Sequence, residues 1–408
     1  MLLCSEPFIA TAAREAVAAG MPDLSRVLVP LDLGRRSVPA AHAGANQVVA
    51  AAISALTSVP ADDVGRAAVD EPADEELEVL DSFEAITALF EERRWTDGLP
   101  IVPPTAERVA AMVAGSGRGG DELVAVLPPG HGAATIQRLA VNAVMAGCRP
   151  ALMPVVVAAI EAMADPVFNL NAIQGSTNPV APLTIVSGPA RTRLGFNSGY
   201  GCFGPGWRAN ATVGRALRLA LINIGGGVPG EKDMAVAGHP GKYTFCVAEN
   251  EEESPWEPLH VERGFAADAS AVTVVGISSF INSLRAGPEY LAEAVAFTGS
   301  NDYRFGGCPL FALNPLHAAG LARAGWRKPE LKGRILELSR RRVREFERRD
   351  LLREDLESLD APDAWVPLAR RPEDLLVIVA GAGGAGGHSL IMPSFGNTRP
   401  VTREIAVP

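Results

Sequence analysis

LLVIVAGAGGAGGHS (Leu375–Ser389) decides the fold class. Leu375–Ala380 is apolar at every position, so a strand there is covered on both faces, as in a sheet flanked by helices. The run Gly381–Gly387 then frees the backbone to come close to a ligand. A glycine-rich loop leaving a buried strand offers N–H groups to an anion, and His388 at its end can hydrogen-bond or protonate a leaving oxygen. Gly383, Gly384, Gly386 and Gly387 are therefore candidate anion-binding positions and His388 a candidate acid–base group. The plainer alternative is that the glycines only allow a tight chain crossing. No Lys follows them, so the loop is not a nucleotide P-loop, and its place in the chain leaves no room for a following βαβ unit.

Outward from this strand, strand and helix patterns alternate. The spacing predicts strands at Arg26–Pro30, Leu123–Leu127, Leu183–Val186, Tyr243–Ala248 and Ala271–Val275. Helices are expected at Pro7–Gly20, Ala43–Leu56, Ser82–Arg93, Thr105–Ala114, Ala134–Ala146, Met153–Met163 and Asn210–Ile224, with a charged helix or helix pair over Pro329–Leu359. An acidic linker, residues 59–81, divides a partial domain (1–58) from a main domain (82–408). The expected class is α/β: a small, truncated Rossmann-like N-terminal domain and a larger mixed-sheet α/β domain. No internal repeat is visible.

Composition limits the function. A formal net charge of −10 is the wrong sign for a general nucleic-acid binder. No apolar run is long enough to span a membrane and no signal-peptide layout is present, so a cytoplasmic protein is expected. The 5 cysteines lack CxxC spacing, which argues against a disulfide framework or a structural zinc.

Several long strings are distinctive: WTDGLPIVPPT (Trp95–Thr105), AVNAVMAGCRP (Ala140–Pro150), GPGWRANATVGRALRL (Gly204–Leu219), GKYTFCVAENEEESPWEPLH (Gly241–His260) and AGAGGAGGHS (Ala380–Ser389). Together they resemble the large bacterial proteins with a UGSC-like domain, a family named for a U/C-G-S-C motif in which U is selenocysteine. The resemblance covers nearly the whole chain. It puts the motif upstream of CSEPF (Cys4–Phe8), yet no C-G-S-C string occurs here. Relatives often carry Glu where this chain has Ala151. The resemblance implies that the missing strand–helix unit comes from a small UGSC-like partner subunit, or that a homo-oligomer covers the surface it leaves.

The remaining candidates are individual side chains. Asp97 lies among glycine and prolines, as a general base or as the anchor of an Asx-turn. Arg208 and Asn210 open a helix, where a guanidinium and free N–H groups favour an anion; capping alone would also explain Asn210. Lys242 and Glu249 lie in one of the family-like strings as substrate-binding candidates. The run Glu249–Glu253 matches no known metal loop, and no metal is expected. Cys148 sits beside Arg149 at a helix end, where a nearby cation would lower a thiol pKa; a buried structural cysteine is the plainer alternative.

These features lead to an expected enzyme that needs no organic cofactor. It would act on a small anionic metabolite by acid–base catalysis, as a lyase or a group-displacement or cyclising enzyme, with Asp97 and His388 as the acid–base groups. The alternatives are a thiol-dependent oxidoreductase using Cys148 and a non-catalytic scaffold subunit.

Overall fold

The computed structural model describes residues 2–4, 9–18, 20–29, 38–57, 76–297, 300–348, 352, 361–384 and 386–406. The chain divides into two compact units, Met1–Glu78 and Val79–Pro408. Most of the expected linker lies outside the described residues.

In the first unit, β1 (Leu2–Cys4) pairs in parallel with β2 (Arg26–Leu28), Leu3 opposite Val27. A parallel pair needs a crossover, and the helix Ile9–Ala18 supplies it. The helix Val38–Thr57 follows. Ala12, Ala16 and Val27 are buried, while Leu3, Val17, Leu28 and Leu56 are exposed.

The second unit begins with the helix Phe83–Glu92, capped as expected: Ser82 Oγ accepts from Ala85 N–H at 3.0 Å. Its strands are β3 (Leu123–Leu127), β4 (Gly132–Thr135), β5 (Ala181–Ser187), β6 (Cys246–Ala248), β7 (Ala271–Ile277), β8 (Ile281–Ser283), β9 (Leu310–Leu313), β10 (Arg341–Arg342), β11 (Trp365–Val366), β12 (Leu376–Val379), β13 (Ser389–Met392) and β14 (Val401–Glu404). β3–β4 and β10–β11 are small antiparallel ribbons. The others form two four-stranded sheets, ordered β14-β7-β5-β6 and β8-β13-β9-β12.

Both sheets have the same plan. Each has one parallel pair, β5/β6 or β9/β12, with an antiparallel strand, β7 or β13, on its other side. The outermost strands are exchanged. After β7 the chain lays β8 on the second sheet, and after β13 it lays β14 on the first. The exchange centres on a bridge between Ile277 and Ser394, flanked by Ser278 N–H to Pro393 O at 3.0 Å and Phe395 N–H to Gly276 O at 2.9 Å. The unit is thus built from two like halves, although no string of residues repeats.

Strand alternation explains the layers. Leu183, Ile185, Val247 and Val275 of the first sheet share one core with Leu310, Ala312, Ile378 and Met392 of the second. Val186, Ala248, Val272 and Val274 face the other way, into a core with the helices Ile136–Ala146, Met153–Met163 and Arg208–Asn223. Phe311, Leu313, Val377, Val379 and Ile391 pack with Leu291, Leu331 and Ile335. The order is helix, sheet, sheet, helix. Leu376–Val379 is apolar throughout because alternate residues enter different cores.

Several expected elements differ. The strand expected at Tyr243–Ala248 is only Cys246–Ala248, because Pro240–Lys242 forms a 3-10 turn. The helix expected from Ala134 starts at Ile136, since Ala134 belongs to β4 and Thr135 caps the helix. The helix expected over Pro329–Leu359 is Lys328–Leu338, and β10 follows it; residues 353–360 lie outside the described residues. Among the described residues no single helix is long and apolar enough to cross a membrane.

Candidate functional site

In α/β sheets, ligands collect at the carboxyl ends of parallel strands. Here β6 and β12 meet at those ends, with Asn250 N–H donating to Val379 O at 2.7 Å. Asn250 Nδ2 also donates to Gly381 O at 3.1 Å and to Glu253 Oε1 at 3.0 Å, and Gly381 N–H donates to Ser198 O at 2.7 Å. The glycine loop is therefore anchored at its start. Gly381 and Gly386 have φ of +97° and +87°, the left-handed region that favours glycine. Neighbouring side chains crowd the positions further along. A Cβ at Gly383 would stand 2.9 Å from Glu253 Oε2, at Gly384 2.4 Å from Tyr200 Oη, and at Gly387 2.6 Å from His317 Nε2. Among the described residues, the N–H groups of Gly383, Gly384, Gly386 and Gly387 donate to no protein acceptor.

His388 closes the loop and is exposed. Its Nδ1 lies 3.0 Å from Asn282 Oδ1 on β8. An amide oxygen only accepts, so this contact keeps the proton on Nδ1 and leaves Nε2 as the free, basic nitrogen. His317 sits beside it, on the helix Pro315–Arg323, whose N-cap Asn314 accepts the His317 N–H at 2.8 Å. Ser389 Oγ accepts from Asn314 N–H at 3.1 Å and contacts His317 Nδ1 at 2.8 Å. Burial, together with the neighbouring His388, holds the His317 ring below its ordinary pKa against a backbone contact at Leu284, which favours the neutral imidazole.

Glu249 lies next to this loop but is sealed in. Its Oε2 accepts from Ser187 Oγ at 3.0 Å and from Leu259 N–H at 2.9 Å. Burial pushes its pKa up to about 7, against the opposing pull of the Lys328 charge. Among the described residues, its Oε1 and the Nδ1 of buried His260 have no hydrogen-bond partner, the latter lying 4.0 Å from Glu251 Oε1. Glu251 and Glu252 both pair with buried Arg191. The acidic run thus has separate partners, and among the described residues no group of His, Cys, Asp and Glu is placed to hold a metal ion.

Asp97, Cys148 and Arg208 come together elsewhere, along one face of the helix Arg208–Asn223. Both Asp97 oxygens receive Arg215 at 2.8 Å, and Oδ1 also accepts Leu99 N–H at 3.2 Å. Burial raises the Asp97 pKa, but the Arg215 hydrogen bonds and charge prevail and hold it below the usual carboxylate range. Arg208 Nε donates to Gly147 O at 2.9 Å, and none of its described contacts reaches the glycine loop. The expectation for Cys148 is corrected. Burial pushes its thiol up to about 11; the Thr212 hydrogen bond and the Arg208 charge lower it by less.

The expected cap at Asn210 is also corrected, because the helix starts at Arg208 with Trp207 at its cap. Asn210 instead accepts Asn197 N–H at 2.8 Å and returns a bond to Asn197 O at 2.9 Å, pinning the loop that carries Tyr200. Lys242 lies apart with both Asp233 oxygens, at 2.8 and 2.6 Å; Arg218 shares the carboxylate at 2.7 Å.

The structure sets the four glycines and His388 in one loop, which Asn250 and Glu253 of the acidic run reach while the Glu249 side chain turns to Ser187 and Leu259. It adds Tyr200, Asn282, Asn314 and His317, which sequence reasoning missed. Only the Asn314-Pro315 cap with His317 three residues on left a readable signal. No family model matches the chain, nor does any curated protein or solved structure.

Proposed function

We propose that this chain is a cofactor-independent acid–base enzyme acting on a small anionic metabolite at the glycine loop, as a lyase or a group-displacement or cyclising catalyst. The observation that carries the reading is His388. Its Nδ1 contacts Asn282 Oδ1, its Nε2 has no hydrogen-bond partner among the described residues, and it follows Gly383, Gly384, Gly386 and Gly387, whose N–H groups donate to no protein acceptor among the described residues. The loop would hold the substrate's anionic group, and Nε2 would take or give the proton at the reacting carbon or leaving oxygen. Glu253 beside Gly383 would direct the anion toward the Gly386–His388 end. Asp97 is a poor base here because taking a proton would neutralise its carboxylate and cost it the pair with Arg215.

The thiol reading is disfavoured, since a buried thiol raised to about 11 holds almost no thiolate at neutral pH. The free cysteines fit a reducing cytoplasm. The UGSC-like resemblance and the exposed Leu3, Val17 and Leu28 support a small partner subunit over the first unit, with a homo-oligomer as the simpler cover.

The test is to incubate the protein with a pool of small carboxylic acids and follow consumption by mass spectrometry. His388→Gln should cut turnover by about 10²-fold or more with the fold intact. Unchanged turnover in that variant would reject the acid–base assignment. Light scattering checks the assembly: a fully active monomer would exclude both kinds of cover.

A further inference from the structure

We infer that the groove between β8 and the helix Pro288–Val295 binds a small monocarboxylic acid with a planar apolar body, its carboxylate on Arg285. The inference deepens the reading above and rests on it only for where the reacting end of the ligand lies. The groove measures about 330 Å³, at the small end for ligand sites, and Asn282, Leu284, Arg285, Tyr290 and Glu293 line it. The Arg285 guanidinium lies 4.5 Å over the Tyr290 ring. Among the described residues it has no carboxylate partner, although Glu289 and Glu293 are close in sequence.

β8 ends at Ser283, whose Oγ accepts from Arg285 N–H at 3.2 Å and donates to Arg285 O at 2.7 Å, so Arg285 is held in a turn between the strand and the helix. A guanidinium held flat presents its paired N–H groups to a planar carboxylate. Tyr290 and Leu284, exposed at 43% and 66%, offer surface for a flat apolar body. Glu293 opposes a dianion such as phosphate more than a monoanion. Asn282 belongs to this wall and also holds His388, so the ligand would extend toward the free Nε2.

Titration of the full chain with 4-fluorobenzoate, read by fluorine NMR, tests this. Saturable binding is expected. Arg285→Ala and Arg285→Lys should each weaken it by about tenfold or more, the lysine because it keeps the charge but loses the planar fork. Uncharged 4-fluorobenzamide should not bind, and inorganic phosphate should not displace the benzoate. No saturation, unchanged binding in Arg285→Ala, equal binding of the benzamide, or displacement by phosphate would each overturn the inference. Absence of binding rejects the groove while the His388 turnover test stands. Conversely, benzoate binding with full turnover in His388→Gln rejects the acid–base reading and leaves the groove standing.

Discussion

The two halves of the larger unit share strand order and direction but finish their parallel pairs with opposite chemistry. The first half ends in buried Ser187 and Glu249 and half-buried Glu251, engaged with Arg191, Leu259 and one another. The second ends in a glycine loop in which, among the described residues, the N–H groups of Gly383, Gly384, Gly386 and Gly387 have no protein acceptor, followed by an exposed histidine. One plan thus commits its polar groups to structure in one half and, among the described residues, leaves loop N–H groups without protein acceptors in the other. Substitutions in the first half should therefore cost stability, and those in the second should cost function.

The largest loss is expected at Arg191. It is 5% exposed, bridges Glu251 and Glu252, and donates to Glu249 O at 2.9 Å. Arg191→Met removes the cation from a cluster of acids, and breaking a buried pair costs about 3–5 kcal/mol. Gly188→Ala should also be severe, because φ is +81° and its Cβ would stand 2.1 Å from Ala269 O, a backbone atom. Urea midpoints measure both. A midpoint unchanged in Arg191→Met would mean that the first half is not held by its charges.

Next comes Asp97, outside the two strand ends but equally tied to structure. Asp97→Asn keeps the shape and loses the charge opposite Arg215, at a cost of about 2 kcal/mol or more. Its folded pKa is lowered, so the stabilisation is present above the unfolded carboxylate value and is lost as pH falls through the folded value. The gap in stability between wild type and Asp97→Asn should therefore close in acid. A constant gap down to low pH, or a turnover defect without a stability defect, would return Asp97 to the active site.

Much of this contrast was legible in the sequence, and some was not. Leu376–Val379 announced a buried strand because both faces enter apolar cores, and the glycines announced a loop because Gly381 and Gly386 take a positive φ. The duplication left no trace, since each half needs only apolar alternation at its strands and many residues satisfy that. Asp97 looked catalytic because its partner Arg215 lies 118 positions away and spacing cannot show such a pair. Cys148 stayed open between a reactive and a buried structural thiol: Arg149 was visible beside it, but the burial that outweighs the pull of Thr212 and Arg208 was not. His317 was missed because its link to Ser389 spans 72 positions.

A smaller, pH-dependent effect should separate the halves at Glu249. Its folded pKa, about 7, lies above the ordinary carboxylate value of 4.5, so the folded state binds the proton more tightly than the unfolded state. The stabilisation is complete below the unfolded pKa and is lost as pH rises toward the folded one. Wild type should lose stability across that window relative to Glu249→Gln, which mimics the protonated form. Parallel pH profiles for the two proteins would show that Glu249 is not protonated in the fold.

The smallest stability change is expected at Gly384, and it tests the second half directly. A Cβ there would stand 2.4 Å from Tyr200 Oη, but Tyr200 is 76% exposed and its ring can swing into solvent. No positive φ is imposed at Gly384, so the backbone accepts alanine without strain. Gly384→Ala should therefore shift stability by less than about 0.5 kcal/mol, the range of surface changes. Function should respond differently, because displacing Tyr200 and adding a methyl group narrows the approach to the loop N–H groups. Weaker anion binding with an unchanged urea midpoint is the expected result. A midpoint shift as large as that of Gly188→Ala would mean that this loop, too, is packed for structure, and the contrast between the halves would fail.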